Sequence, residues 1–260
     1  MLVDSHCHLD FPELAPQLES VLALMRENAV SHALCISVKL EEFPQIRALA
    51  ESHRELYGSV GVHPDYEDVT EVSVERLVQL AQHPRIVGIG ETGLDYYRLK
   101  GDLEWQRERF RCHIRAARDC GKPLIIHTRS AAEDTLRIMR EERAGEARGV
   151  MHCFTESWDV ASAAMELGFY ISFSGIVTFK NAQALKEVAR KVPLERMLVE
   201  TDSPFLAPVP FRGRVNQPGF VKHVAEEISR LRGVPFEDIA RATTENFHKL
   251  FGTRENGIHA

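Results

Sequence analysis

Eight short apolar runs punctuate the chain, and a longer amphipathic stretch follows each one. The runs fall at 2–8, 33–38, 56–62, 86–91, 124–128, 150–154, 169–174 and 197–201. They are rich in β-branched residues and nearly continuous in hydrophobicity, the pattern of parallel strands covered on both faces. Helix-period segments occupy 15–28, 41–53, 74–82, 103–120, 131–143, 158–167 and 181–192, and two more, 219–231 and 236–250, follow the last run. In the clearest of these, Asp102 is the expected N-cap, Phe110, Ile114 and Ala117 form the apolar stripe, and Gly121 and Pro123 end the helix. Eight βα alternations without a break in composition predict an α/β fold of the TIM (β/α)8 barrel type rather than an open doubly wound sheet. The length of 260 residues agrees, since such barrels typically take about 250. No linker or repeat divides the chain, so 1–260 is read as a single domain, with the polar stretch after Phe251 expected to fray.

Charge and cysteine usage narrow the partners. A formal net charge of -6 argues against a protein that coats nucleic acid through a basic face. A nuclease stays open, because bound divalent cations reverse the sign of an acidic pocket locally. Five cysteines, an odd number without a CxxC pair, predict a reducing, cytoplasmic setting rather than a disulfide framework. Met1-Leu2-Val3-Asp4 does not begin a secretory signal, and no apolar run reaches the roughly 20 residues of a membrane helix. Neither a membrane nor an obligate protein partner is expected.

The ionisable residues fall on the strand map in a telling way. His6 and His8 end the first run and share a face, with Cys7 pointing away. His63 follows the third run, Glu91 ends the fourth, His127 ends the fifth, His152 lies in the sixth and Asp202 follows the eighth. The C-terminal strand ends form the catalytic face of such barrels. A lone histidine is more often a packed or surface residue than a ligand. Strand ends make up about a tenth of such a chain, so roughly one histidine of the 12 should land there by chance. Five do, which favours a metal cluster. Imidazole with carboxylate suits Zn, Mn, Fe or Co, with Mg at a carboxylate-rich side. Glu91, between the histidine groups, is placed to bridge two ions. Asp202 could ligate and also handle the proton of an activated water.

At these residues the chain resembles the TatD family of metal-dependent deoxyribonucleases, and within it the YcfH-like bacterial branch. The resemblance rests on Val3-Asp4-Ser5-His6-Cys7-His8-Leu9-Asp10, Gly61-Val62-His63-Pro64, Gly88 through Tyr97, His127-Thr128-Arg129, His152-Cys153-Phe154-Thr155, Glu200-Thr201-Asp202-Ser203-Pro204 and Asn216-Gln217-Pro218. It implies an amidohydrolase-like TIM barrel. It implies His6, His8, Glu91, His127, His152 and Asp202 as ligands for two divalent ions, and DNA, single-stranded or damaged, as the substrate. A plain glutamate, Glu91, stands where many amidohydrolases carry a carboxylated lysine. Ser130 stands where the family pattern leads one to expect Asp; as a cap for the next helix, Ser can replace it, whereas if the Asp orients Arg129 the change bears on substrate positioning.

Around this set, His63 is a candidate for a third metal or a substrate phosphate and Arg129 for a bidentate phosphate clamp, each weighed against a loop hydrogen bond or a rim ion pair. Glu200, two residues before Asp202, is a candidate to assist the base or bind an ion, or else an acceptor for a ligating histidine. Arg98, Lys100, Arg212 and Arg214 could follow a nucleic-acid backbone, although loop charges are usually only solvated. Tyr96, Tyr97 and Phe211 could stack bases, with packing the commoner use. The leading expectation is a metallonuclease. The alternatives are a metal-dependent ester or amide hydrolase, such as an aminoacyl-tRNA deacylase, and a non-enzymatic metal-binding scaffold.

Overall fold

The computed structural model describes residues 1–253. Its strands are β1 (Leu2–Cys7), β2 (Val30–Cys35), β3 (Leu56–Val60), β4 (Ile86–Asp95), β5 (Leu124–Arg129), β6 (Gly149–Met151), β7 (Phe169–Phe173) and β8 (Met197–Val199). They lie side by side in chain order, and every neighbouring pair is parallel. β8 returns to β1 at the C-terminal end: Asp202 N–H donates to the His6 carbonyl at 2.9 Å and His8 N–H to the Ser203 carbonyl at 2.8 Å. The buried Asp4 carboxylate strengthens this seam by accepting from the Thr201 amide (2.8 Å) and hydroxyl (2.5 Å). The expected (β/α)8 barrel is the observed architecture.

Helices α1 (Leu18–Glu27), α2 (Phe43–Ser52), α3 (Val74–Ala81), α4 (Glu104–Cys120), α5 (Ala132–Glu141), α6 (Trp158–Glu166) and α7 (Gln183–Lys191) connect successive strands, and α8 (Val221–Arg232) and α9 (Phe236–Phe251) follow β8. Two apolar layers result. One lies between strands and helices and includes Leu56, Ile86, Leu124, Phe110 and Ile114. The other gathers Val3, Leu34, Tyr57, Val87, Ile125, Val150, Tyr170 and Leu198 from all eight strands and adds Phe247 and Phe251 of α9. These two phenylalanines plug the N-terminal end of the barrel, which leaves the C-terminal end for chemistry.

Boundaries differ from the sequence reading where pairing overrides local composition. β4 runs four residues past Glu91, because Thr92 to Asp95 pair with Ile126 to Arg129 of β5. Only glycine permits that pairing: a Cβ on Gly93 would sit 1.9 Å from the His127 carbonyl oxygen. β2 starts three residues earlier than its apolar run, and β6 stops at Met151, so His152 lies just beyond its strand rather than in it. The N-cap of α4 is Leu103 rather than Asp102 and makes no side-chain cap bond, because the helix starts one residue later than expected; Asp102 still accepts the Glu104 N–H at 3.1 Å, and Gly121 ends the helix at φ 67°. Ser130 adopts φ 54° and α5 begins without a side-chain cap, so the serine does not take the capping role. Most of the polar stretch after Phe251, from 254 onward, lies outside the described residues. No described helix is long and apolar enough to cross a membrane.

Candidate metal centre

Glu91 occupies the middle of the site, with 2% of its surface exposed. Its two oxygens face different partners. Oε2 lies 3.2 Å from His6 Nε2 and 4.0 Å from His8 Nε2. Oε1 lies 2.7 Å from His152 Nε2, 3.2 Å from His127 Nδ1 and 3.3 Å from His63 Nε2. Asp202 joins on the Oε2 side, its Oδ1 3.5 Å from His8 Nε2 and 3.7 Å from His6 Nε2. Potential ligand atoms therefore group as His6–His8–Glu91, His6–His152–Asp202 and His63–Glu91–His127, each set within 4.8 Å. The backbone makes room for the carboxylate: the pairing of β4 shifts register between Ile89 and Thr92, and a Cβ on Gly61 would come within 2.5 Å of Gly90. His6 reaches the same space across a register shift between Asp4 and Cys7 in β1, while the Cys7 thiol turns away to the Leu34 carbonyl.

Hydrogen bonds on the far side of each ring set which nitrogen faces the centre. His8 Nδ1 donates to the Ile36 carbonyl (3.3 Å), His127 Nε2 to Asp95 Oδ2 (3.1 Å) and His152 Nδ1 to Glu200 Oε1 (3.2 Å). In the neutral ring the proton is thereby held on the outer nitrogen, which leaves the inner nitrogen free to act as a metal ligand. His6 Nε2 and His152 Nε2 are buried without a hydrogen-bond partner, although carboxylate oxygens lie within 3.2 Å. Close approach without hydrogen-bond alignment is what donors aimed at a shared cation would show. His63 is the reverse. Its Nδ1 accepts the Asp65 N–H at 3.1 Å, so its proton sits on Nε2 and points inward. Of the five histidines, His63 offers a donor where His8, His127 and His152 offer acceptors.

The electrostatics favour an ionised carboxylate set. Burial alone would raise the Glu91 pKa, but His152, His63 and His6 outweigh it and hold the carboxyl well below its ordinary range. Asp202 is likewise held low, burial being overcome by His8, His6 and His152. Burial, reinforced by the neighbouring His152, pushes His6 down toward the neutral form that can ligate. At His8, His127 and His152 burial is outweighed by the facing carboxylates, which raise these rings above their ordinary values, so a bound cation would displace protons there. The donors fit a divalent cation in number and charge.

Other residues singled out in the sequence divide. Arg129 lines the cavity, stacks on the Tyr97 ring at 4.0 Å and has no carboxylate partner among the described residues. Arg98 lines it too, paired with Asp65 at 3.2 Å. Glu200 is fully buried behind His152, accepting also from the Cys153 N–H at 2.7 Å, and does not reach the cavity. Tyr96 packs, donating to Asp134 at 2.7 Å, and Phe211 lies flat on Phe220 with centroids 4.1 Å apart. Lys100, Arg212 and Arg214 are absent from the cavity lining, and Arg212 covers the Phe179 ring at 3.5 Å. Two residues were not picked out as functional from sequence. Asp95 holds His127, and its signal was parity with Glu91, four residues back along one strand. His113, buried in α4, accepts the Val62 N–H at 3.0 Å and donates to the Arg109 carbonyl, fixing the segment that carries His63. No sequence pattern marked it.

Residues 3–252 match the family described as TatD related DNase. The uncharacterized metal-dependent hydrolase YcfH of Escherichia coli K12 is 47% identical over 253 residues, covering 96% of this chain and 95% of that protein. The uncharacterized metal-dependent hydrolase YabD of Bacillus subtilis is 42% identical over 252 residues, covering 96% and 99%. Among solved structures, the TatD homologue YJJV of E. coli K12 matches with a TM-score of 0.90 at 30% identity, over 96% of this chain and 98% of that one.

Proposed function

The chain belongs to the TatD-related family of metal-dependent hydrolases, and from that premise we propose that it hydrolyses phosphodiester bonds in DNA, with single-stranded or damaged DNA the favoured substrate. One observation carries this reading: imidazole nitrogens converge on Glu91 beside a cavity of about 790 Å³ whose rim holds Arg129, which has no carboxylate partner among the described residues. In this reading His6, His8, Glu91 and Asp202 hold one divalent ion and Glu91, His127 and His152 a second, drawn from Mg, Mn, Zn, Fe or Co. Such ions polarise a phosphoryl oxygen and acidify bound water.

The chain's own groups do the rest. Arg129, braced on Tyr97, offers a planar pair of N–H donors to a phosphate at the mouth. His63 directs its Nε2–H toward the same space. Asp202 Oδ1 faces His6 and His8, which leaves Oδ2 to take the proton of the attacking water. Glu200 contributes by fixing the tautomer of His152. All five cysteines are free thiols, which supports a cytoplasmic setting. The test is a panel of single-stranded, abasic and duplex DNA beside carboxylic esters and an aminoacyl ester, assayed with Mg and Mn. Release of nucleotides above an Asp202→Asn control supports the reading; turnover confined to esters or amides replaces it.

A further inference from the structure

The cavity has two unlike walls. Arg98 and Arg129 stand on one; Phe11, Ile176, Phe205 and Leu206 stand on the other. Phe205 comes three residues after Asp202 and is 51% exposed, unusual for so large an apolar side chain beside a polar centre. Its backbone is nevertheless fixed. Phe205 N–H donates to the Asp202 carbonyl at 3.0 Å, and its own carbonyl accepts from Asn216 Nδ2 at 2.6 Å. Asn216 is fully buried and also donates to the Thr201 carbonyl at 2.9 Å. The next residue presses on the turn after β7, where a Cβ on Gly175 would lie 2.0 Å from the Leu206 carbonyl oxygen.

This backbone-anchored aromatic is continuous with the centre. Phe205 meets Phe11 edge-on, with centroids 6.0 Å apart at 76°, and Phe11 stacks on His8 at 4.7 Å and 21°. A run of aromatic rings therefore leads from the mouth to the carboxylate cluster, while the opposite wall offers guanidinium groups. A nucleotide presents the same pairing, one flat apolar face and one anionic group. Phosphate is drawn to the arginine wall and a π-face to the phenylalanine wall.

We propose that Phe205, with Phe11 behind it, forms a nucleobase-binding subsite that positions the nucleotide adjoining the scissile phosphate. The proposal rests on the phosphodiesterase reading. A base stacked there is out of a duplex, so the subsite selects a single-stranded or unpaired nucleotide. Phe205 acts by positioning; it makes no bond to the reacting atoms.

The experiment compares wild type, Phe205→Ala and Phe205→Trp on two oligonucleotides that differ only in whether the terminal nucleotide carries a base. Phe205→Ala should lower kcat/KM on the base-bearing strand about tenfold, mostly through KM, and leave the abasic strand within about twofold. Phe205→Trp should restore the difference. In parallel, a terminal 2-aminopurine is titrated with protein in EDTA, where hydrolysis is blocked. Wild type should quench its emission, and Phe205→Ala should not. Equal losses on both strands, or unchanged quenching by Phe205→Ala, overturn the subsite and leave the phosphodiesterase reading standing. Phe205-dependent quenching without hydrolysis of either strand overturns that reading and keeps the subsite. Neither quenching nor hydrolysis overturns both.

Discussion

At the N-terminal end of the barrel Arg85 donates to the carbonyls of Ala50, His53 and Arg54, while at the C-terminal end His6 leaves both ring nitrogens without a partner. The contrast is general. Lys122 donates to the carbonyls of Ala81, His83 and Ile86, and Arg232 to those of Ala189, Arg190 and Val192. These cations neutralise carbonyls where the chain turns into the next strand. Among the described residues, the buried side-chain atoms left without a hydrogen bond belong to His6, Asp10, Asp65, His152, Glu200 and Ser203, all in the C-terminal halves of strands or just past them. An unpaired buried polar atom costs about 1–3 kcal/mol. One end of the barrel is therefore closed in hydrogen bonds and apolar packing, and the other is built around groups that need an added partner.

Two substitutions should separate these ends. Glu91→Gln removes the carboxylate that touches both histidine groups, and it should lower turnover about 1,000-fold, the scale of losing a preorganised electrostatic group. It should also abolish stabilisation by metal. For wild type, a divalent ion at 100 times its Kd adds about 2.7 kcal/mol, which raises Tm by several degrees in a chain of this size. A Glu91→Gln protein that keeps the full metal-induced shift in a thermal melt would break the proposed ligand set. Phe247→Ala acts on the other end. The ring is fully buried in the plug, so its loss should cost about 3–5 kcal/mol and lower Tm by roughly 10 °C. Because the sites are distant, the metal-induced shift should be unchanged. A lost shift in Phe247→Ala would mean that the two ends are not independent.

The same division governs what could be read from the chain. Strand ends announced themselves through apolar runs followed by His6, His8, His63, Glu91, His127 and Asp202, since burial on both faces leaves a composition that period and length detect. Asp95 was hidden because β4 extends only by pairing with β5 across Gly93, a contact between distant segments. Glu200 was placed on the same face as Asp202 by strand parity. Parity fails there: β8 ends at Val199 and Asp202 takes φ 56°, so the two side chains part, one behind His152 and one into the cavity. Among the aromatics, nearness to basic loops drew notice to Tyr96 and Phe211, which pack, whereas Phe205 had only its distance of three residues from Asp202 to mark it.

Asp95→Asn gives the finest cut through the comparison, because it changes one charge beneath one ligand. Asp95 Oδ1 accepts the amides of Tyr97 (2.8 Å) and Arg98 (3.0 Å), and Oδ2 takes the proton of His127 Nε2. The His127 bond and these amides hold its carboxyl well below the ordinary range despite burial. An Asn keeps the shape and can still accept through its carbonyl oxygen. It can satisfy the two amides or the imidazole, and a flip places NH2 against the ring. With the carboxylate gone, His127 loses basicity and a fixed tautomer, and the expected result is about a 10- to 100-fold weaker metal affinity. Only the second of two ions in a calorimetric titration should weaken, because His6, His8 and Asp202 do not touch Asp95. Equal weakening of both ions would instead assign Asp95 to the loop alone, acting on the whole mouth through Tyr97 and Arg98.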